Sequence, residues 1–225
     1  VFLCGLRSDM EGSKAVFLRD RCRDRGQSFL RLDYSGHGRS GGSFLDGTVS
    51  QWTADAAAII DAQAGGPVLL VGSSLGGWIA LLLAQRWGSE RVCGLIGIAA
   101  APDFTEDLLG KELTEKNKET LAQTGIIYLP SAYGEPFPVT AKLLSDGRSN
   151  LLLRAPMRYA GPVHLLQGKA DADVPWRHAR RILDMLPNSA ANLTLIDDGD
   201  HRLSRPKDLA ILWQVVETFL EKDGA

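Results

Sequence analysis

The stretch Val71-Gly72-Ser73-Ser74-Leu75-Gly76-Gly77-Trp78 decides how this chain is read. It holds the pattern G-x-S-x-G as Gly72-x-Ser74-x-Gly76. Residues 67–72 before it form a short apolar run of strand character, and residues 75–86 after it have helical composition. That context predicts a sharp strand-to-helix turn with Ser74 at its apex, in a strained backbone conformation. Small residues two before and two after the serine let strand and helix pass closely. The free N–H groups of the helix N-terminus then face the reacting centre. The competing reading is a Gly-rich turn that only packs, with Ser73 and Ser74 as small fillers.

Working outward, short apolar runs alternate with longer amphipathic stretches. Residues 1–5, 28–33, 67–72, 92–100, 162–168 and 192–196 read as strands. Most are almost continuously apolar, as strands buried on both faces must be. Residues 12–25, 49–64, 75–86, 175–186 and 205–221 read as helices. The alternation predicts an α/β fold: a mostly parallel sheet of about six strands flanked by helices. One stretch breaks the rhythm. Residues 102–157 separate two strands by far more than a crossover helix requires, between a first core part (1–101) and a second (158–225) of one domain. The stretch opens with charged helix formers over 106–118. It continues through the Pro-rich Tyr128-Leu129-Pro130-Ser131-Ala132-Tyr133-Gly134-Glu135-Pro136-Phe137-Pro138. A long insertion at a strand's carboxyl end lies where open α/β sheets place ligands, so a helical and loop lid is expected rather than an ornament. Trp78, Trp176 and Phe137 are candidates for an apolar pocket beneath it.

A nucleophilic serine needs a base. Of four histidines, His201 lies in Asp198-Gly199-Asp200-His201-Arg202-Leu203-Ser204, after the last strand and before the last helix, where a loop can carry imidazole over the serine. His37, in the Gly-rich loop Asp33-Tyr34-Ser35-Gly36-His37-Gly38-Arg39-Ser40, is expected to shape that loop by hydrogen bonding. His164, inside a strand, reads as a core histidine, and His178, beside Arg177 and Arg180, as exposed. The base in turn needs an orienting acid. Gly168-Lys169-Ala170-Asp171-Ala172-Asp173-Val174-Pro175-Trp176 follows the penultimate strand. Asp171 is favoured to accept from the imidazole N–H. Asp173 is the competitor, or else the cap of the helix that starts near Pro175. Two backbone amides are expected to form an oxyanion hole: Leu75, directly after the nucleophile, and Leu6, in the loop after the first strand, where Gly5 lets the amide turn. A histidine base predicts that activity falls as the ring protonates at acidic pH. Cys4 is a conceivable nucleophile without a matched base.

Composition narrows the function classes. The chain has 225 residues, 44% hydrophobic and 23% charged, with a formal net charge of -2. Neither nucleic acid nor an anionic membrane surface is an expected partner. The run Arg19-Asp20-Arg21-Cys22-Arg23-Asp24-Arg25 alternates in sign and reads as the solvated face of a helix. Three cysteines, Cys4, Cys22 and Cys93, show neither metal spacing nor a disulfide framework, which fits a reducing compartment: cytoplasm, or mitochondrial matrix. No apolar run reaches membrane-spanning length, so no integral membrane association is expected. Val1-Phe2-Leu3-Cys4-Gly5 lacks the basic leader of a signal peptide and reads as a buried strand.

The order Ser74, Asp171, His201 and the surrounding motifs resemble the α/β-hydrolases. Phe2-Leu3-Cys4-Gly5-Leu6-Arg7-Ser8-Asp9-Met10-Glu11-Gly12-Ser13-Lys14-Ala15 is similar to their oxyanion-loop segment. The Ser-Asp-Met-x-Gly-x-Lys-Ala part, Gly36-His37-Gly38-Arg39-Ser40 and Ala101-Pro102-Asp103-Phe104-Thr105 look like the bacterial and mitochondrial group that includes a palmitoyl-protein thioesterase and acyl-glucuronide esterase. The resemblance covers nearly the whole chain. It implies an α/β-hydrolase fold and a serine hydrolase of small-molecule carboxylic esters or thioesters, acting through an acyl-enzyme on Ser74. It also implies no metal or organic cofactor. Where the family usually has His, this chain has Cys4. The rival readings are a C–C bond hydrolase with the same triad and a non-catalytic ligand-binding protein. A dehalogenase would need a carboxylate where Ser74 stands.

Overall fold

The computed structural model describes residues 1–131 and 134–221. The chain runs through β1 (Phe2–Leu3), α1 (Ser13–Arg25), a 3-10 turn at Phe44–Asp46, α2 (Val49–Gln63), β2 (Val68–Ser73), α3 (Leu75–Arg91) and β3 (Val92–Ile98). After the insertion come β6 (Val163–Gly168), α7 (Trp176–Asp184), β7 (Ala191–Ile196) and α8 (Pro206–Leu220). The insertion itself holds a π-helical turn (Thr105–Leu109) and α4 (Gly110–Glu112), then α5 (Glu115–Thr124), β4 (Ile126–Ser131), β5 (Gly134–Thr140) and α6 (Ala141–Ser149).

Among the described residues, five strands form one sheet in the order β1-β2-β3-β6-β7, every neighbouring pair parallel. Helices flank it, with α1 packed on α8 and α2 on α3. Near-continuous burial of β2, β3 and β6 follows from helices covering the sheet, and explains why their sequences do not alternate. The core's largest side chains keep their polar tips satisfied. Trp52 Nε1 donates to Ser35 O (3.1 Å), Trp78 Nε1 to Asn150 O (3.1 Å) and Tyr159 Oη to Val92 O (2.9 Å). Among the described residues no helix is long and apolar enough to cross a membrane.

Two expectations change. The strand expected over 28–33 is reduced to a single parallel bridge, Phe2 with Arg31. Its partner β1 is only two residues long, and just beyond the bridge Asp33 is committed to loop contacts, taking the amides of Met10 (2.7 Å) and Arg39 (2.9 Å). The Pro-rich stretch, of which Ala132 and Tyr133 lie outside the described residues, is a β-hairpin: β4 pairs antiparallel with β5, Tyr128 opposite Pro138 and Leu129 opposite Phe137. Prolines are tolerated because a two-stranded ribbon has outer edges that need no N–H. Pro136 and Pro138, two residues apart, put their missing donors on one such edge.

The insertion is bound tightly at its neck. Asp103, fully buried at the entrance, accepts the amides of Leu152 (2.7 Å) and Leu153 (2.8 Å) at the exit. Asp107 pairs with Arg154 and Arg181, and His178 bonds to Pro102 O at 2.8 Å. Inside the insertion, Leu121, Ile127, Val139 and Leu144 form a small core of their own.

Candidate active site

Ser74 stands between the end of β2 and the start of α3, at φ 54° and ψ -116°. Such a conformation persists only where its surroundings over-determine it. Here Ser74 N donates to Ile98 O (2.9 Å), and Ser74 O accepts from the amides of Gly77 (2.9 Å) and Ala101 (3.1 Å). The flanking glycines are a steric requirement. A Cβ on Gly72 would come 2.2 Å from Gly76 O, and one on Gly76 would come 2.1 Å from Leu3 O.

Two further loops meet this turn. His201 Nε2 lies 3.1 Å from Ser74 Oγ, and His201 Nδ1 lies 2.9 Å from Asp171 Oδ2. A carboxylate only accepts, so Nδ1 carries the proton and the bare Nε2 faces the serine hydroxyl. The Asp171 carboxylate is fully buried. Its Oδ1 takes the amides of Asp173 (2.9 Å) and Val174 (2.8 Å), while Oδ2 also takes Gln167 Nε2 (2.9 Å). Asp173 stays exposed, and α7 starts without any side-chain cap, so the capping role expected for Asp173 is not observed. Close contact between the Asp171 and His201 loops depends on Gly168, whose Cβ would sit 2.1 Å from Gly199 O.

Gln167 joins the site without any motif that marks it in the sequence. The signal was an amide at the end of an otherwise apolar run, Leu165-Leu166-Gln167-Gly168. It is fully buried, and its Oε1 has no partner among the described residues. The interior tolerates that orphan acceptor while the other end of the amide serves Asp171.

Leu6 and Leu75 both line the cleft, and neither backbone N–H has a hydrogen-bond partner among the described residues. Leu75 opens α3, where a free N–H is inherent to the helix end. In the Leu6 loop the positive φ falls on Arg7 (58°) rather than on Gly5. A Cβ on Gly5 would meet Ser73 O and Ser74 Cβ at 3.4 Å, a close but ordinary contact. Cys4 is a buried thiol that donates to Ser8 O at 3.6 Å. Burial, with Asp33 nearby, pushes its pKa up to about 12, which removes it as a nucleophile.

The other histidines are neighbours of the site. His37 makes the contact expected within its own loop through Nδ1 and Ser35 O (3.3 Å), and its Nε2 also accepts from Arg7 N of the first loop at 3.2 Å. His164 is half-buried and bonded to Thr194 Oγ1 at 2.8 Å. His178 is buried, not exposed: it shares the inner face of α7 with Ala179 and Ile182 while Arg177 and Arg180 face out. Lys14, half-buried at the cleft, donates to Arg202 O and Ser204 Oγ beside His201, and burial lowers its pKa to about 8.

A cleft of about 1140 Å³ opens over Ser74 and His201. The insertion lines it with the apolar Phe104, Leu108, Leu109, Leu113, Leu129 and Phe137, interspersed with the polar Glu112, Asn117 and Glu135. Of the three aromatics expected there, Phe137 lines it. Trp78 instead packs edge-on against Phe104 in the core, and Trp176 carries the Arg177 guanidinium over its ring. Asp171, Asp173 and His201 bring ligand atoms within 4.8 Å of one another. They fit a metal poorly, because both Asp171 oxygens already receive N–H donors.

A family model described as the alpha/beta hydrolase family matches residues 1–211. A mouse protein named palmitoyl-protein thioesterase ABHD10, mitochondrial, is 35% identical over 224 residues, covering 99% of this chain and 75% of its own. The human protein of the same name is 33% identical, covering 99% and 72%. Among solved structures, a putative hydrolase from Agrobacterium vitis S4 is 42% identical with a TM-score of 0.92, covering 97% of this chain and 86% of the other.

Proposed function

This chain belongs to the alpha/beta hydrolase family, and on that premise we propose that it hydrolyses carboxylic esters or thioesters through an acyl-enzyme on Ser74. The observation that carries the reading is the relay of two contacts, Ser74 Oγ to His201 Nε2 at 3.1 Å and His201 Nδ1 to Asp171 Oδ2 at 2.9 Å. In the proposed reaction His201 Nε2 takes the Ser74 proton as Oγ attacks the substrate carbonyl. The oxygen of the tetrahedral intermediate takes hydrogen bonds from the Leu6 and Leu75 amides, each such donor typically worth about 3 kcal/mol of barrier. The ring then gives its proton to the departing alcohol or thiol. Water attacks the acyl-enzyme with His201 again as base, and the carboxylic acid leaves. Asp171 keeps the ring in the required tautomer and stabilises its cationic form.

The apolar side chains that the insertion brings to the cleft support an acyl group with a hydrocarbon part, and in this role the insertion is a lid over the bound chain. The thioesterase name of the mouse and human relatives supports thioesters beside oxygen esters. No metal or organic cofactor is needed for these steps. Relatives named as mitochondrial, together with three cysteines free of disulfides, support a reducing compartment such as the matrix or cytoplasm. A fluorophosphonate probe tests the reading. We expect it to label the wild-type chain and not Ser74→Ala, and labelling that survives the substitution would refute the assignment. A C–C hydrolase would be labelled too, so a panel of p-nitrophenyl esters and acyl thioesters, turned over by the wild type alone, completes the test.

A further inference from the structure

His37 is 3% exposed and enclosed edge-on by three aromatic rings: Tyr34 at 5.5 Å, Phe44 at 5.2 Å and Trp52 at 5.1 Å between centroids. Its Nδ1 lies 3.3 Å from Ser35 O, a carbonyl that only accepts, so the proton sits on Nδ1 and Nε2 is a bare acceptor. That acceptor holds the amide of Arg7 at 3.2 Å. The Leu6–Arg7 peptide plane is thereby pinned, and the preceding Gly5–Leu6 plane, which carries the Leu6 N–H, is held by Ser8 N donating to Gly5 O at 3.1 Å. Arg7 needs that hold because its φ of 58° is unfavourable for a side-chain-bearing residue. Cys4 offers the loop only a weak sulfur donor to Ser8 O.

We propose that His37 is a positioning residue for the oxyanion loop: its unprotonated Nε2, wedged in an aromatic box, fixes the Leu6–Arg7 peptide, which adjoins the Gly5–Leu6 peptide that carries the Leu6 N–H. This inference rests on the proposed function, since it assigns a task to the Leu6 donor. It makes the loop acid-sensitive. A second proton on His37 would turn Nε2 from acceptor to donor, facing the Arg7 N–H with another N–H, and the pin would be lost. Burial lowers the His37 pKa and outweighs the charges that face it, Asp33 from its own loop and Asp55 from α2, both of which favour protonation. Acid therefore has two targets, the His201 base and the loop.

Kinetics with a p-nitrophenyl acetate substrate test this on the folded chain, with folding checked by circular dichroism at each pH. His37→Phe keeps the ring's bulk without an acceptor, and His37→Gln keeps an acceptor that does not titrate. We expect His37→Phe to lower kcat by about 10- to 100-fold at pH 8 with KM nearly unchanged, short of the loss of a whole oxyanion donor. His37→Gln should recover most of that loss. The acidic limb of log(kcat/KM) should steepen toward a slope of about two in the wild type and remain near one in His37→Gln. A wild-type kcat in His37→Phe, or a wild-type slope near one until the fold is lost, overturns the proposal. Should His37→Phe fail to fold, the slopes of the wild type and His37→Gln decide alone. Ser74→Ala separates the levels. If it is inactive while His37→Phe runs at the wild-type rate, only the positioning role falls; if it stays active, the reading of the site falls and this role with it.

Discussion

The side-chain amide of Gln167 donates to Asp171 Oδ2 at 2.9 Å, the same oxygen that faces His201 Nδ1. The strand that delivers the acid loop thus also supplies a donor to the acid. Gln167→Leu removes one hydrogen bond to a buried carboxylate, an interaction typically worth about 1.5–3 kcal/mol. We expect urea unfolding to register a loss of that order. kcat should fall too, because Asp171 is left with fewer restraints. Unchanged stability and unchanged kcat would show that the amide is a bystander.

Asp171 and Asp173 compete for the orienting role in the sequence, and they sit in opposite environments. Asp171 is buried and bonded to the ring, whereas Asp173 is exposed. Asp171→Asn should lower kcat on the order of 10⁴-fold, the consequence of a wrong ring tautomer. Asp173→Asn should stay close to wild type. Equal effects in a p-nitrophenyl ester assay would contradict the assignment.

The elbow glycines give a steric prediction. A methyl group on Gly76 would collide with backbone at Leu3 O, whereas one on Gly65 meets nothing within 4 Å. Backbone cannot step aside as a flexible side chain can. Gly76→Ala should cost at least the roughly 1–3 kcal/mol of an overpacked interior and distort the Ser74 turn. Gly65→Ala should change stability by no more than about 0.5 kcal/mol. Thermal melts of the two variants make the comparison.

Acid should destabilise the fold through its buried and half-buried histidines. Burial lowers the pKa values of His37, His164 and His178, so the native state binds fewer protons than the unfolded chain between those lowered values and the ordinary histidine range. Stability therefore rises with pH across that window and levels off above it; on acidification it is lost. His178→Gln removes one titration, and the pH dependence of the unfolding free energy should flatten by up to about 1.4 kcal/mol per pH unit. An unchanged slope would mean that His178 titrates alike in both states.

What could be read from the sequence was what local spacing encodes. Gly72-x-Ser74-x-Gly76 is a steric pattern within five residues, and both partner loops follow recognisable strands, so Ser74, Asp171 and His201 were all legible. What escaped depends on contacts between distant segments. Gln167 looks like a stray amide until Asp171 folds back on it. His178 looks exposed beside two arginines, although helical geometry turns it with Ala179 and Ile182 toward Pro102. Residues 28–33 look like a strand, but an edge neighbour two residues long cannot extend the ladder. The hairpin from Ile126 to Thr140 hid behind its prolines, which argue against a strand only where both edges are paired.

Because Asp103 receives the amides of Leu152 and Leu153, the two ends of the insertion are stapled side by side whatever lies between them. Hinge motion at that point would first have to break bonds to a buried carboxylate. The same staple makes the segment a cassette. Its interior can be lengthened, shortened or exchanged for another hydrolase's without changing the gap the scaffold must bridge.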